Sequence, residues 1–224
     1  MYKKIAKPFL LLSILFLFTG CFEIVEDITF NKDGSGHVKL TVNLSKSKTK
    51  LNSIMLLDSV SNYKVPSEQE IKNKIAQVAR EIQQIEGISN VQYSNNFSEY
   101  IFEISCDFKN TDALNEVVMS YSSQKDVLMI KKQKLFDFDS EEKTFTRDYH
   151  YKLQKEFNNM NVEDRKVFET AYMTMIYRFQ DPIVSSENTA AKISKNKRAI
   201  MLRANAQDII YNKVSVKNKI QLQK

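Results

Sequence analysis

The chain has 224 residues, with 33 Lys and Arg against 27 Asp and Glu, a formal net charge of +6 and only 4 Gly, 3 Pro and 2 Cys. That length supplies a real hydrophobic core, while two cysteines exclude a disulfide-stapled scaffold and the scattered Gly and Pro exclude a flexible linker between domains. The positive balance is too dilute for a basic nucleic-acid-binding tail.

At the N-terminus Lys3, Lys4 and Lys7 stand without an acid, and residues 9–18 form an apolar run broken only by Ser13. Small Thr19 and Gly20 precede Cys21. A run this short does not cross a bilayer as a helix, and the order of charged, apolar and small segments defines a cleavable export signal. The segment Leu17-Phe18-Thr19-Gly20-Cys21 resembles a bacterial lipobox, with Phe18 where leucine is commonest. The resemblance implies removal of residues 1–20 as a lipoprotein signal peptide and acylation of Cys21, the lipidation site, by chains such as palmitate. Two or more chains, at about 0.8 kcal/mol per buried methylene, hold a protein durably on a membrane. The expected localisation is extracytoplasmic and lipid-anchored. Phe22, rather than an aspartate, follows the cysteine, so outer-membrane delivery is expected in a diderm host.

Taking residues 1–20 from the 224 leaves a mature chain of 204, residues 21–224, and removes three lysines, so the balance falls from +6 to +3. The excess sits late: residues 180–224 carry nine Lys or Arg against Asp181, Glu187 and Asp208. This basic part either faces anionic headgroups or an acidic partner, or is a solvated surface. Outside the cytoplasm nucleic acid is not an expected partner.

The first elements follow Cys21 directly. Phe22, Ile24, Ile28 and Phe30 alternate on one strand face, as do Val38, Leu40, Val42 and Leu44, on either side of an Asp33-Gly34 turn that marks a hairpin. The turn lacks the spaced acids of a calcium loop. Residues 48–60 read as a short helix. Residues 66–87 read as a longer one, with a Ser67/Glu70 capping box, a Gly87 stop and a stripe of Ile71, Ile75, Val78, Ile82 and Ile85 to lay on a sheet. A hairpin of residues 88–93 and 99–108 then turns at Ser94-Asn95-Asn96. On its second strand Tyr100, Phe102, Ile104, Cys106 and Phe108 share a face, so Cys106 is expected to be a buried small hydrophobe rather than a nucleophile.

Residues 111–121 form a second clear helix, and residues 127–130, 135–138 and 144–153 read as strands. In the last of these Phe145, Tyr149, Tyr151 and Leu153 oppose Thr144, Thr146, Asp148, His150 and Lys152. Between the last two strands Asp139-Ser140-Glu141-Glu142 reads as a polar turn rather than a cation site. Residues 161–170 look helical. Residues 171–179 fit either a helix or a strand, and their tyrosine, threonine and isoleucine content favours the strand. A hairpin of residues 190–194 and 198–204, a short helix over 207–211 and a strand with Val214, Val216, Ile220 and Leu222 on one face complete the chain. Hairpins outnumber βαβ units, so the expected class is α+β, a mainly antiparallel sheet built from hairpins with helices packed on one face. Residues 21–224 form one domain, or two subdomains dividing near 155–180.

The lipobox followed at once by a strand, the Asp33-Gly34-Ser35-Gly36 hairpin, a long helix ending in Gly87-Ile88-Ser89-Asn90-Val91, then Phe108-Lys109-Asn110 and Asp112-Ala113-Leu114-Asn115 resemble a group of bacterial lipoproteins. These are similar to the LppM-type lipoproteins, some of which are linked to envelope lipids. The resemblance covers the first half of the mature chain, implies an envelope role and brings no catalytic residue. No GxSxG elbow, HExxH helix, Walker loop or dinucleotide glycine pattern occurs, and His37 and His150 are dispersed. The chain is therefore expected to be no enzyme and to use no metal and no cofactor. Two roles fit: a scaffold or accessory subunit for an envelope protein partner, preferred, or a carrier that encloses a lipid or other apolar ligand under its helices.

Overall fold

The computed structural model describes residues 22–60, 63–122, 127, 130–148 and 153–224. Alternation builds its first pair: β1 (Glu23–Phe30) and β2 (Gly36–Asn43) run antiparallel in register from Phe30 opposite Gly36 to Glu23 opposite Asn43. Gly36 is required by close approach, since a Cβ there would lie 2.0 Å from the Thr29 carbonyl oxygen. A short helical turn leads into α1 (Lys48–Ile54), followed by a two-residue ribbon of β3 (Ser59–Val60) and β4 (Tyr63–Lys64).

α2 (Glu68–Gln83) starts at the expected capping box: Ser67 Oγ accepts from the Glu70 amide at 3.2 Å, and Glu70 Oε2 accepts from the Ser67 amide at 2.8 Å. Gly87, at φ 82, takes the left-handed conformation that turns the chain into β5 (Ile88–Asn96). β6 (Ile101–Phe108) returns, and Asn110 caps α3 (Thr111–Ser120) by accepting from the Ala113 amide at 3.0 Å. Then come β7 (Phe136–Asp139), β8 (Thr144–Arg147), α4 (Leu153–Asn159), α5 (Val162–Lys166), β9 (Tyr172–Phe179) and β10 (Ile183–Ser186). β11 (Lys192–Ile193), β12 (Ala199–Asn205), α6 (Ala206–Ile210) and β13 (Asn218–Leu222) finish the described fold.

The class is α+β with mainly antiparallel sheets. A seven-stranded sheet has the order β11-β12-β9-β1-β2-β6-β5, and a four-stranded sheet the order β10-β13-β8-β7. One pairing is parallel, β1 with β9, joining Glu23 to Tyr172 and Phe30 to Phe179. The large sheet has one apolar and one polar face, because residues one apart on a strand point oppositely. Ile28, Val38, Cys106, Tyr177, Phe179, Ile200 and Leu202 share the apolar face. Over its β12-β9-β1 half lies the four-stranded sheet, with Phe145, Ile220 and Leu222 buried between. Its β2-β6-β5 half is covered by α2 and α3. Asn115 of α3 fastens the two coverings together: it donates to the Phe136 carbonyl at 2.7 Å and accepts from the Phe136 amide at 2.9 Å.

The polar face is held by cross-strand pairs. Arg178 grips Asp27 with two bonds of 3.1 and 3.0 Å, Arg203 and Thr174 both donate to Glu23, and Lys39 lies 3.3 Å from Glu103. Partial burial pushes the Glu23 carboxyl up, but the bonds from Thr174 and Arg203 outweigh it and hold the group below the usual carboxylate range.

Several expected elements differ. Residues 172–179 form β9, the strand favoured over a helix there, but Val127 and Ile130, expected in a strand, are helical. A short apolar run has no period that separates the two, and Ile130 is buried either way. Of the strand expected over 144–153, Thr144–Arg147 form β8, whose last residue pairs with Asn218, the first of β13; residues 149–152 lie outside the described residues, and Leu153 opens α4. Of residues 48–60 only Lys48–Ile54 are α-helical, because Ser59–Val60 pair with Tyr63–Lys64. The hairpin between β5 and β6 stays paired to Asn96 opposite Ile101, so its turn falls at residues 97–100 rather than 94–96. α5 covers only Val162–Lys166 of the helix expected over 161–170, and the last strand only Asn218–Leu222.

Candidate functional site

Between α2, α3 and the apolar face of the large sheet lies a cavity of about 640 Å³. Its sheet wall is formed by Ile28, Val38, Leu40 and Ile104, and its helix wall by Val78, Ile82, Leu114, Val117 and Val118. Leu40 is 39% exposed and marks the open side. Val78 and Ile82 belong to the α2 stripe read from the sequence, so the periodicity that makes α2 amphipathic also makes its part of this lining apolar. Tyr121, at the end of α3, reaches across to α2 and donates to Glu81 Oε2 at 3.0 Å. Partial burial together with the Glu81 carboxylate pushes its hydroxyl up to about 12, so it remains a donor at neutral pH.

Glu26 gives the apolar wall one charged point. It occupies an inward position of β1 between Ile24 and Ile28, and its side chain is only 13% exposed. Tyr177 OH donates to its Oε1 at 2.5 Å, and Arg147 Nε reaches the same oxygen at 3.4 Å. Arg147 Nη1 also points at the Val216 carbonyl, 3.4 Å away, and the guanidinium lies 5.8 Å from the Phe136 ring centre. Burial opposes the guanidinium's charge, but Tyr177 and Glu26 outweigh it and keep Arg147 protonated. Burial likewise pushes the Tyr177 hydroxyl well above its ordinary value. The group ties β1 and β9 of the large sheet to β8 of the smaller one, at the border between cavity and packed core.

A second depression, of about 600 Å³, is lined by Thr146, Glu187, Asn188, Lys213, Lys217 and their neighbours. Several of its polar groups are directed at one another. Lys217 pairs with Asp148, Asn188 Nδ2 donates to the Ser215 and Lys217 carbonyls at 2.8 Å each, and the Asn188 amide donates to Asn218 Oδ1 at 3.0 Å.

The residues singled out in the sequence fall as follows. Cys21 and His150 lie outside the described residues. Cys106 is buried, borders the cavity and is a free thiol that burial pushes up to about 11, with the Asp107 charge adding to the shift. His37 is on the polar face, where its Nδ1 lies 2.7 Å from Asp107 Oδ1; Asn90 donates to the other Asp107 oxygen at 2.6 Å. These bonds, Asn90 first, hold the Asp107 carboxyl below its usual value. Asp139 Oδ1 accepts from the Glu141 and Glu142 amides at 2.9 and 2.8 Å, which closes the acidic turn on its own backbone. Among the described residues no three His, Cys, Asp or Glu side chains gather as metal ligands, and no helix is long and apolar enough to cross a membrane. Glu26, which beside Glu23 reads in the sequence as one of an ordinary surface pair of carboxylates, is buried, and it and Arg147 are each a charged residue standing in the apolar phase of its strand.

No protein-family model matches the chain. No curated protein matches it either. Among solved structures it is similar to the folded domain of the Mycobacterium tuberculosis LppM protein, determined by NMR, with 10% sequence identity, 91% of each chain covered and a TM-score of 0.41. The likeness is too loose for residue roles to be transferred.

Proposed function

We propose that this chain is a lipid-anchored bacterial envelope protein that binds an acyl chain or similar apolar ligand between α2, α3 and its main sheet. The cavity carries the reading. Its volume of about 640 Å³ falls within the roughly 300–1,000 Å³ of small-molecule sites, and its walls are mostly aliphatic, with Glu26, Tyr121 and Ser122 engaged with Tyr177, Glu81 and the Val118 carbonyl. A core needed only for stability is packed as densely as an organic crystal. An accessory subunit that acted through its surface would have no use for this apolar space. The reading involves no catalytic step. Anchoring comes from Cys21, which places the carrier beside a source of acyl chains, in the outer membrane where the host has one.

Native mass spectrometry of the secreted chain carrying Cys21→Ser tests the reading. A lipid-sized mass should travel with the protein and disappear when Val117→Trp fills the cavity, while the melting temperature stays within a few degrees. A clean protein mass in both forms would instead favour the accessory-subunit role.

A further inference from the structure

The domain begins almost without slack after Cys21. The Phe22 carbonyl accepts from the Tyr172 amide at 3.0 Å, the Phe22 ring meets Phe168 edge-on at 5.8 Å, and β1 starts at Glu23. One Cα–Cα step of about 3.8 Å therefore separates Cys21 from Phe22, the first described residue. The anchored end of the sheet is defined by the row Asn205, Tyr172, Glu23, Asn43, Ile101 and Asn96, which register places side by side. The turns after Phe30 and before Ala199 lie at the opposite end.

The segment that leaves β2 at Asn43 stays at the anchored end. Leu44 N donates to the Tyr100 carbonyl at 2.9 Å, Tyr100 OH donates to Asn52 Oδ1 at 2.7 Å, and Lys48 pairs with Glu99 at 2.8 Å, so α1 is fastened over the turn between β5 and β6. Lys46 lies close enough to Glu23 for its charge to act on that carboxylate. Lys46 and Lys50 are exposed, and directly after α1 Leu56 is 87% and Leu57 51% exposed. Basic side chains on the same short segment as exposed leucines suit a membrane interface, where the apolar groups enter the headgroup boundary and the lysines meet anionic lipid.

We infer that this end of the domain lies flat on its own membrane, with Leu56 and Leu57 at headgroup depth and Lys46 and Lys50 against anionic lipid. The inference rests on Cys21 being the acylated residue. The short tether selects a bilayer as the occupant, because it holds this surface at the membrane.

The test uses the full chain in a Cys106→Ala background, with an environment-sensitive fluorophore on Leu56→Cys or, at the far end, on Lys195→Cys. Each protein is reconstituted through its anchor into vesicles of phosphatidylcholine and phosphatidylglycerol, and acylation is scored by an acyl-chain probe. Lipid-borne quenchers should quench the label at position 56 severalfold more than that at 195. Lys46→Glu with Lys50→Glu should remove most of the difference. An acylated protein whose label at 56 stays in water, or is quenched no more than that at 195, overturns the inference alone. A chain without acyl label overturns the anchor reading and this inference together.

Discussion

The two halves of the apolar sheet face start from the same alternating strands and end differently. Under the four-stranded sheet the space is filled by rings: Phe145 lies 4.7 Å from Phe30, 4.9 Å from Tyr177 and 5.8 Å from Phe179, centre to centre. Under α2 and α3 the lining is mainly Val, Leu and Ile, and a cavity of about 640 Å³ is left. Aromatic side chains carry the volume and the edge-to-face or stacked contacts that close a gap between two sheets, whereas aliphatic side chains on two helices do not reach as far. The densely packed half should therefore carry most of the stability, and the open half holds the space proposed for a ligand. The two roles are separable by mutation.

The packed half should show the largest effect. Phe145 is 0% exposed, so Phe145→Ala removes a ring held on several sides and should lower stability by about 3–5 kcal/mol in denaturant unfolding. Against a typical total of about 5–15 kcal/mol, that is enough to leave part of the chain unfolded. A loss under about 1 kcal/mol would mean that the ring cluster is not the centre of the fold. At the border between the halves, Arg147→Ala leaves the Glu26 carboxylate buried without its cation and should cost about 3 kcal/mol. Adding Glu26→Gln should restore much of it, whereas additive losses in the double variant would show that the two side chains are not coupled.

The border group also shows where the sequence was legible. β1, β2, α2 and the burial of Cys106 follow from local periodicity and caps, because each is specified within a few neighbouring residues. The parallel pairing of β1 with β9 could not be read in this way, since its partners, Ile28 and Tyr177 for example, are brought together only by the folded chain. β10 and α4 were missed because they are short and gain their structure from what they pack against. Glu26 and Arg147 offered a usable signal. Ile24, Ile28 and Phe30 on one strand and Phe145 on another set apolar phases that these two opposite charges interrupt, and two such interruptions are best accommodated as one buried pair. The cavity had no such signal, because apolar residues are required at its positions whether or not space is left between them.

In the open half, truncation to alanine should cost less. Leu114→Ala extends a space that already exists, so its loss should fall near the low end of the roughly 2–5 kcal/mol seen for buried leucines, while the cavity gains volume. Unfolding titrations of this variant beside Phe145→Ala check the contrast directly. Equal losses would erase the distinction between the two halves.

The smallest effect belongs to Cys106, at the cavity's sheet wall. Replacing it with alanine removes one buried sulfur and should cost about 1 kcal/mol near neutral pH. Its pH dependence is more telling. The folded thiol keeps its proton up to about 11, against an ordinary value of 9.0, so between those values the folded state holds a proton that the unfolded state releases. The contribution is complete below pH 9 and is lost as the pH rises through the folded value. The stability gap between wild type and Cys106→Ala should therefore hold up to about pH 9, then close and reverse in sign by about pH 10.5, measured by denaturant unfolding under reducing conditions. A gap that stays constant over that window would place the thiol in contact with solvent, and the sheet wall of the cavity would then be open to water.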